Sequence, residues 1–368
     1  MLSKNELRYM LALQRVPNLG DASAKKLLNH VGSAEGIFNE SKRNLLKIDG
    51  IGSYKLKELH KKTNLDAAES ELRFIENNNI TVSYFQDKSY PEKLKHCLDG
   101  PILLFRKGNI DLKHKKIISI VGTRRITPMG REFCERLIED LTPLNPVIVS
   151  GFAYGVDITA HTSAIDCRLQ TIACLAHGLT QIYPKSHQRY VATLESNGGL
   201  ITEFWSDDAF DRTNFLKRNR IIAGLSEATI VIESAEKGGS LVTADIANSY
   251  HREVFAVPGR TTDIQSTGCN NLIKSQQAHM LTSAADLVYL MGWSLVQKTR
   301  ETRQTQLFAA LTPDEQKIFD FLKQSDKELL DTIALHCGMP SFKVATVLLN
   351  MELKGVLRPL PGKFFQLN

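Results

Sequence analysis

Five short, unbroken apolar runs recur through the middle of the chain: 117–121 (IISIV), 147–149 (VIV), 171–175 (TIACL), 229–232 (TIVI) and 254–257 (VFAV). A strand exposed on one face alternates apolar and polar positions, whereas one covered on both faces need not, so these runs predict central strands of a parallel sheet. Between them, apolar residues at helical spacing over 131–141, 187–196 and 243–250 supply crossover helices. The alternation predicts an α/β class fold, a doubly wound Rossmann-like sheet whose ligands bind beyond the carboxyl ends of the strands.

The two flanks read differently. Before the sheet, helical periodicity is broken twice, at 16–20 (VPNLG) and at 48–52 (IDGIG). The second break resembles a helix-hairpin-helix turn: its glycines permit a tight turn, and a helix beginning after Gly52 would aim free N–H groups at a phosphate, with Lys55 and Lys57 on its first turn. A small helical interaction module of the helix-hairpin-helix/SAM-like kind satisfies the same pattern. After the sheet, 312–315 (TPDE) is a capping box opening a helix. Two further helices over 331–336 and 340–353 and a hairpin of 355–358 with 364–367 predict a winged-helix-like unit. Only Lys343 and Lys354 lie near its third helix, which favours partner binding over groove reading. Residues 297–306 (QKTRETRQTQ) contain no apolar side chain and read as a linker. The expected domains are 1–65, 66–296 and 309–368, with a linker at 297–308.

Composition narrows the class. The 368 residues, 42% of them hydrophobic, carry a net charge of +6. Length and apolar content suit a globular protein, not a disordered one. No apolar run reaches membrane-spanning length and the first residues are charged, so a cytoplasmic protein is expected, without membrane contact. The six cysteines form no C-x-x-C pair and have no histidine at metal spacing; they read as reduced thiols, with no metal site. The charge is uneven: residues 1–65 hold 12 Lys/Arg and 6 Asp/Glu, while 66–308 hold 27 of each and 309–368 hold 7 of each.

The loops following the strands carry the candidate chemistry. They read 122–125 (GTRR), 150–157 (SGFAYGVD), 177–179 (HGL) with 183–185 (YPK), Glu233 with 238–245 (GGSLVTAD), and 257–260 (VPGR). Glycine lets a backbone approach an anion and arginine offers a fork that matches phosphate oxygens, so these loops predict a phosphate-lined pocket. No G-x-G-x-x-G follows the first strand and no G-x-x-x-x-G-K-[ST] occurs, which disfavours a dinucleotide cofactor and a P-loop NTPase. Between the third and fourth runs, 212–220 hold four basic residues, no acid and Phe215. Cations beside an aromatic ring suit a single-stranded nucleic acid, whose phosphates meet charge while its bases stack.

These motifs in this order, VGTRR, SGFAYGVD with AH, HGL with YP, FLKRNRIIAGLS, VIESAEKGGSLVTA, VFAVPGR and NNLI, resemble the DNA-processing protein A (DprA/Smf) family over nearly the whole chain. The resemblance implies a non-enzymatic mediator of natural transformation. Such a protein binds single-stranded DNA, forms a homodimer and loads RecA recombinase onto the strand, without a cofactor. Carried onto this chain, it implies that Arg124 grips a phosphate, with Gly122, Thr123, Ser150, Gly151 and Gly155 bringing the backbone close. Lys185, Phe215, Lys217, Arg218, Asn219 and Arg220 would line the same pocket. Leu216 stands where the family more often has Pro, and Thr123 where Ser is frequent; neither change removes a cation or an aromatic. The competing reading is an enzyme resembling the nucleotide phosphoribohydrolases, acting on nucleoside monophosphates. It would call on Asp157, Glu233 and Asp245, but its glutamate-bearing glycine loop is degraded here to GGSLVTAD.

Overall fold

A computed structural model describes residues 2–113, 115–293, 311–325, 327–360 and 364–367. The described residues fall into two compact units, divided between Leu295 and Val296. The expected linker at 297–308 and the turn at Pro361-Gly362 lie outside the described residues.

The first unit is built on nine strands among the described residues: β1 (Thr81–Tyr84), β2 (Leu103–Gly108), β3 (Ile117–Val121), β4 (Val147–Ser150), β5 (Thr171–Cys174), β6 (Gly198–Thr202), β7 (Ala228–Val231), β8 (Glu253–Ala256) and β9 (His279–Met280). Their order is β1-β2-β6-β5-β4-β3-β7-β8-β9. The strands from β6 to β9 in that order run parallel, and β2 and β1 close one edge antiparallel. All five apolar runs are strands of the parallel part, as expected. Their alternate residues feed two cores: Ile118, Ile120, Ile148, Ile230 and Phe255 face one layer of helices. Ile117, Val121, Val149, Val231 and Val254 face the other. Each such side chain, fully buried, contributes roughly 1.5 to 3 kcal/mol.

The second unit contains helices Pro313–Gln324, Leu330–Cys337 and Ser341–Leu353 and three strands, β10 (Glu328–Leu329), β11 (Leu357–Leu360) and β12 (Phe364–Leu367). The strands pair antiparallel in the order β10-β12-β11, completing a winged-helix arrangement. The capping box at Thr312 and Glu315 forms as the sequence predicts. Lys343 pairs with Asp314 at 2.8 Å and Lys354 with Glu315 at 2.6 Å, so the cations near the third helix are matched by acids of the first. Among the described residues no single helix is long and apolar enough to cross a membrane, and the six cysteines are free thiols, four of them buried.

Two expectations for the N-terminal segment need correction. No α-helix begins directly after Gly52; residues 53–60 form successive turns closed by i to i+3 hydrogen bonds such as Lys55 N–H to Gly52 O and Leu59 N–H to Leu56 O. The buried pair Leu56 and Leu59 is spaced three apart, which suits three residues per turn. Lys55 is drawn inward, its Nζ donating to Ser23 Oγ at 2.9 Å and Gly50 O at 2.8 Å. The boundary expected at residue 65 falls inside helix Lys62–Asn77, whose buried Asn64, Ala68, Glu71, Leu72 and Ile75 form one stripe. The polar run 64–71 is the solvent side of that helix together with its polar buried positions.

The same segment is tied to the sheet through Arg220, on helix Thr213–Leu225. One Nη donates to Asp21 Oδ2 at 3.1 Å and to Glu203, the other to the Asp99 carbonyl. Burial pushes the Glu203 carboxyl up to about 7 while Arg220 pulls it down. The arginine side chain is only 14% exposed, so removing it leaves two carboxylates without their partner in a poorly solvated place. Arg220→Ala is expected to lower the unfolding free energy by about 3 to 5 kcal/mol in urea titrations, the range for breaking a buried pair from one side. A loss below about 1 kcal/mol would show the tie to be dispensable.

Candidate nucleic-acid interface

Strand order reverses at β3. From it the chain moves outward through β4, β5 and β6, then returns through helix Thr213–Leu225 to β7 on the other side of β3. The carboxyl ends of β3 and β7 therefore diverge into two loops with a crevice between them, where open α/β sheets bind ligands. A cavity of about 440 Å³ lies there. It is lined by the loop after β3 (121–125), by Ala153 and Asp157, by the first half of the crossing helix and by 234–240 after β7.

Glycines let these loops sit on one another. Gly155 has φ +75°, and a Cβ on it would fall 2.2 Å from the Thr123 carbonyl oxygen. A Cβ on Gly151 would lie 2.3 Å from Asp157 Oδ2 and 2.8 Å from both Arg218 Nη atoms. Their first role is loop against loop. The contact is closed by Val156 N–H donating to Thr123 O at 3.1 Å and Thr123 N–H donating to Glu233 O at 2.8 Å.

Charge in the cavity is one-sided. Five cations line it, Arg124, Arg125, Arg212, Arg218 and Lys237, against the single carboxylate of Asp157. That carboxyl is buried, and burial raises its pKa against the pull of Arg218, which weakens its claim to a charge. Arg124 is exposed and its guanidinium stands 5.5 Å from the centre of the Phe215 ring. Arg218 is buried 6.0 Å from the same ring, held by a bond to the Cys174 carbonyl and by Nε donating to Asn219 Oδ1 at 3.3 Å. Asn219 in turn donates to Gly239 O at 3.2 Å. Gly239 opens helix Gly239–Ser249, whose N-cap Gly238 supplies no side-chain cap, so its amide end adds positive potential to the same wall. The arrangement suits a polyanion with exposed phosphates.

Of the residues expected from sequence, the structure brings Gly122, Thr123, Arg124, Phe215, Arg218 and Asn219 to the cavity. Ser150, Gly151 and Gly155 stand behind it: Ser150 is fully buried and its Oγ donates to Ile120 O at 2.6 Å. Three expected residues are not brought in. Lys185 is exposed at the start of the short helix Lys185–Tyr190, outside the lining residues. Lys217 and Arg220 line a second cavity, beside Asp21 and Trp205, on the opposite side of their helix. Helical spacing accounts for the split: 215, 218, 219 and 222 share one face, while 217 and 220 share another. Arg125, Arg212 and Lys237 are additional cations of the cavity. Lys237 could have been noticed as the basic residue just ahead of the Gly-Gly-Ser helix start.

The three carboxylates of the competing hydrolytic reading line three different cavities: Asp157 this one, Glu233 one beside Pro258 and Arg260, and Asp245 one beside Gly268. Glu233 accepts from Thr127 N–H at 2.9 Å and from the Thr127 hydroxyl, anchoring the start of helix Pro128–Leu141. Among the described residues no group of three or more His, Cys, Asp or Glu is placed to hold a metal ion.

Comparison with known proteins finds relatives over most of the chain. The family model described as DNA recombination-mediator protein A matches residues 81–292, and the DprA winged helix domain matches 302–363. Protein Smf of Escherichia coli K12 is 33% identical over 306 residues, spanning 81% of this chain and 80% of that protein. The DNA processing protein DprA of Streptococcus pneumoniae R6 is 37% identical over 202 residues, 55% of this chain and 71% of that one. Among solved structures, DNA processing protein A from Streptococcus pneumoniae superposes with a TM-score of 0.67 at 29% identity, covering 78% of this chain and 98% of its own. The Helicobacter pylori protein, described for its unique single-stranded DNA binding mode, gives a TM-score of 0.52 at 28% identity, covering 58% and 95%.

One buried histidine supports the cavity from behind. His161 is fully buried, one ring nitrogen 2.6 Å from the Gly151 carbonyl and the other 2.7 Å from Thr171 Oγ1. Burial lowers its pKa from 6.5 to about 4. As pH falls below 6.5 the unfolded chain takes up a proton that the folded one refuses until about 4, so stability is complete above that window and declines across it. A shift of this size corresponds to about 3 kcal/mol. Denaturant titrations from pH 7 to 4 are expected to show a shallower decline for His161→Gln than for the native protein, and parallel profiles would refute the assignment.

Proposed function

The chain belongs to the DNA recombination-mediator protein A family, and from that premise we propose that it binds single-stranded DNA in the cavity at the β3/β7 switch point. The observation that carries the reading is the lining itself: five cations and one buried carboxylate around the exposed Arg124 and the Phe215 ring. Cations positioned by backbone packing grip phosphates without regard to sequence, and a ring at the rim gives an unpaired base a face to rest on. A duplex keeps its bases inside the stack and gains nothing from the ring. The neutral balance of the sheet-bearing segment is compatible with this, because its acids lie elsewhere.

Within the same reading, the protein is a mediator of natural transformation that hands the strand to RecA recombinase and works as a homodimer. These parts rest on the family resemblance. It acts as a binding protein, not a hydrolase, a view supported by the dispersal of Asp157, Glu233 and Asp245 among separate cavities.

Fluorescence anisotropy with labelled single-stranded and duplex oligonucleotides across a salt series tests the proposal. Tighter binding to the single strand is expected, with log K falling linearly against log salt by about 0.7 per neutralised phosphate. Arg124→Ala should weaken binding to all sequences alike and flatten the slope by about 0.7, with thermal stability changed by less than about 1 kcal/mol. Equal affinity for duplex and single strand would overturn the reading.

A further inference from the structure

A cluster of three aromatic rings stands on the surface beside Phe215. Tyr183, from the loop after β5, is 44% exposed, and Phe210, just ahead of the crossing helix, is 45% exposed. The Tyr183 and Phe210 ring centres are 4.9 Å apart, Phe210 and Phe215 5.6 Å, and Tyr183 and Phe215 6.0 Å. Interplanar angles of 53°, 67° and 75° in the same order rule out mutual stacking, so the rings brace one another by their edges and keep ring surface open to solvent. One exposed ring is ordinary, but three touching rings from three chain segments form a patch that solvent alone does not favour.

The patch is held in place. Tyr183 N–H donates to His177 Nε2 at 3.3 Å. Phe210 stands between a turn closed by Asp208 N–H to Trp205 O and the start of the helix, where Asp211 accepts from Thr213 N–H at 2.7 Å. Aspartates 207 and 208 of this loop pair with Arg15 at 3.2 and 2.6 Å, so they are matched away from the rings.

We infer that Tyr183 and Phe210, with Phe215, are a stacking platform for adjacent nucleobases of the strand whose phosphates lie in the cationic cavity. The inference rests on the single-strand reading above. Bases, and not an apolar protein segment, are the occupant because the patch runs through Phe215 directly onto Arg124 and Arg218, where only a ligand alternating flat rings with anions satisfies both surfaces.

The test uses the full-length protein and two oligomers of equal length, a thymidine strand and the same backbone made abasic. Tyr183→Ala and Phe210→Ala are each expected to weaken binding to the thymidine strand by roughly 5- to 100-fold, the range for a lost base stack, and to leave abasic binding within about twofold. Tyr183→Phe should bind as the native protein does, and Arg124→Ala should lose affinity for both oligomers. In the native protein, 2-aminopurine placed along the thymidine strand should lose emission at one or two neighbouring positions on binding. This readout needs no variant to fold. Equal losses on both oligomers, no loss on either, or no quenching at any position would overturn the platform while leaving the single-strand reading intact. Native protein that binds neither oligomer would overturn both.

Discussion

The switch-point cavity depends on a single crossing. Returning from β6 to β7 past β3 requires a helix that passes over the sheet, and that helix, Thr213–Leu225, begins above the carboxyl ends of the strands. Its two faces do different work. Phe215, Arg218 and Asn219 turn to the cavity, while Arg220 reaches Asp21, Glu203 and the Asp99 carbonyl on the other side. The N-terminal segment thereby helps fix the helix whose opposite face lines the cavity. Arg220, two positions beyond the cavity-facing Arg218, falls by helical geometry on the opposite face and forms a structural tie.

The same distinction governs charge. The N-terminal excess of basic residues is partly answered by acids from later in the chain: Lys4 pairs with Glu76, Arg8 with Glu69, and Arg15 with Asp207 and Asp208. The sheet-bearing segment is neutral in sum, yet its cavity gathers five cations against one buried carboxylate. Local arrangement decides what a phosphate meets, and a segment total does not report it.

Much of the central sheet was legible because a strand covered on both faces writes itself as an apolar run, and five did so. Two of the others, β6 and β9, did not, each for a physical reason. Strand β6 begins with Gly198-Gly199, where a Cβ would meet the Thr171 and Lys107 carbonyl oxygens at 2.0 and 2.1 Å, so close packing there removes the side chains that carry a pattern. Strand β9 is two exposed residues at an edge. In the site, the loop glycines and Arg124 were readable because their spacing after the strands is fixed by topology. Along the chain 212–220 is one basic run, but wound at 3.6 residues per turn it puts Lys217 and Arg220 on the face away from the cavity. Tyr183 belongs to the YP motif, but its contact with Phe210 carries no sequence signal, since it joins segments that only the fold brings together.

The central claim is that the strand lies in the switch-point cavity, and photocrosslinking locates it most directly. Full-length protein would be irradiated with single-stranded DNA carrying 5-iodouracil and the attached peptides identified by mass spectrometry. Attachment within 121–125, 212–219 and 234–240, the segments that line the cavity, is the result expected here. Attachment confined to residues 1–65 or to the winged-helix unit would contradict it.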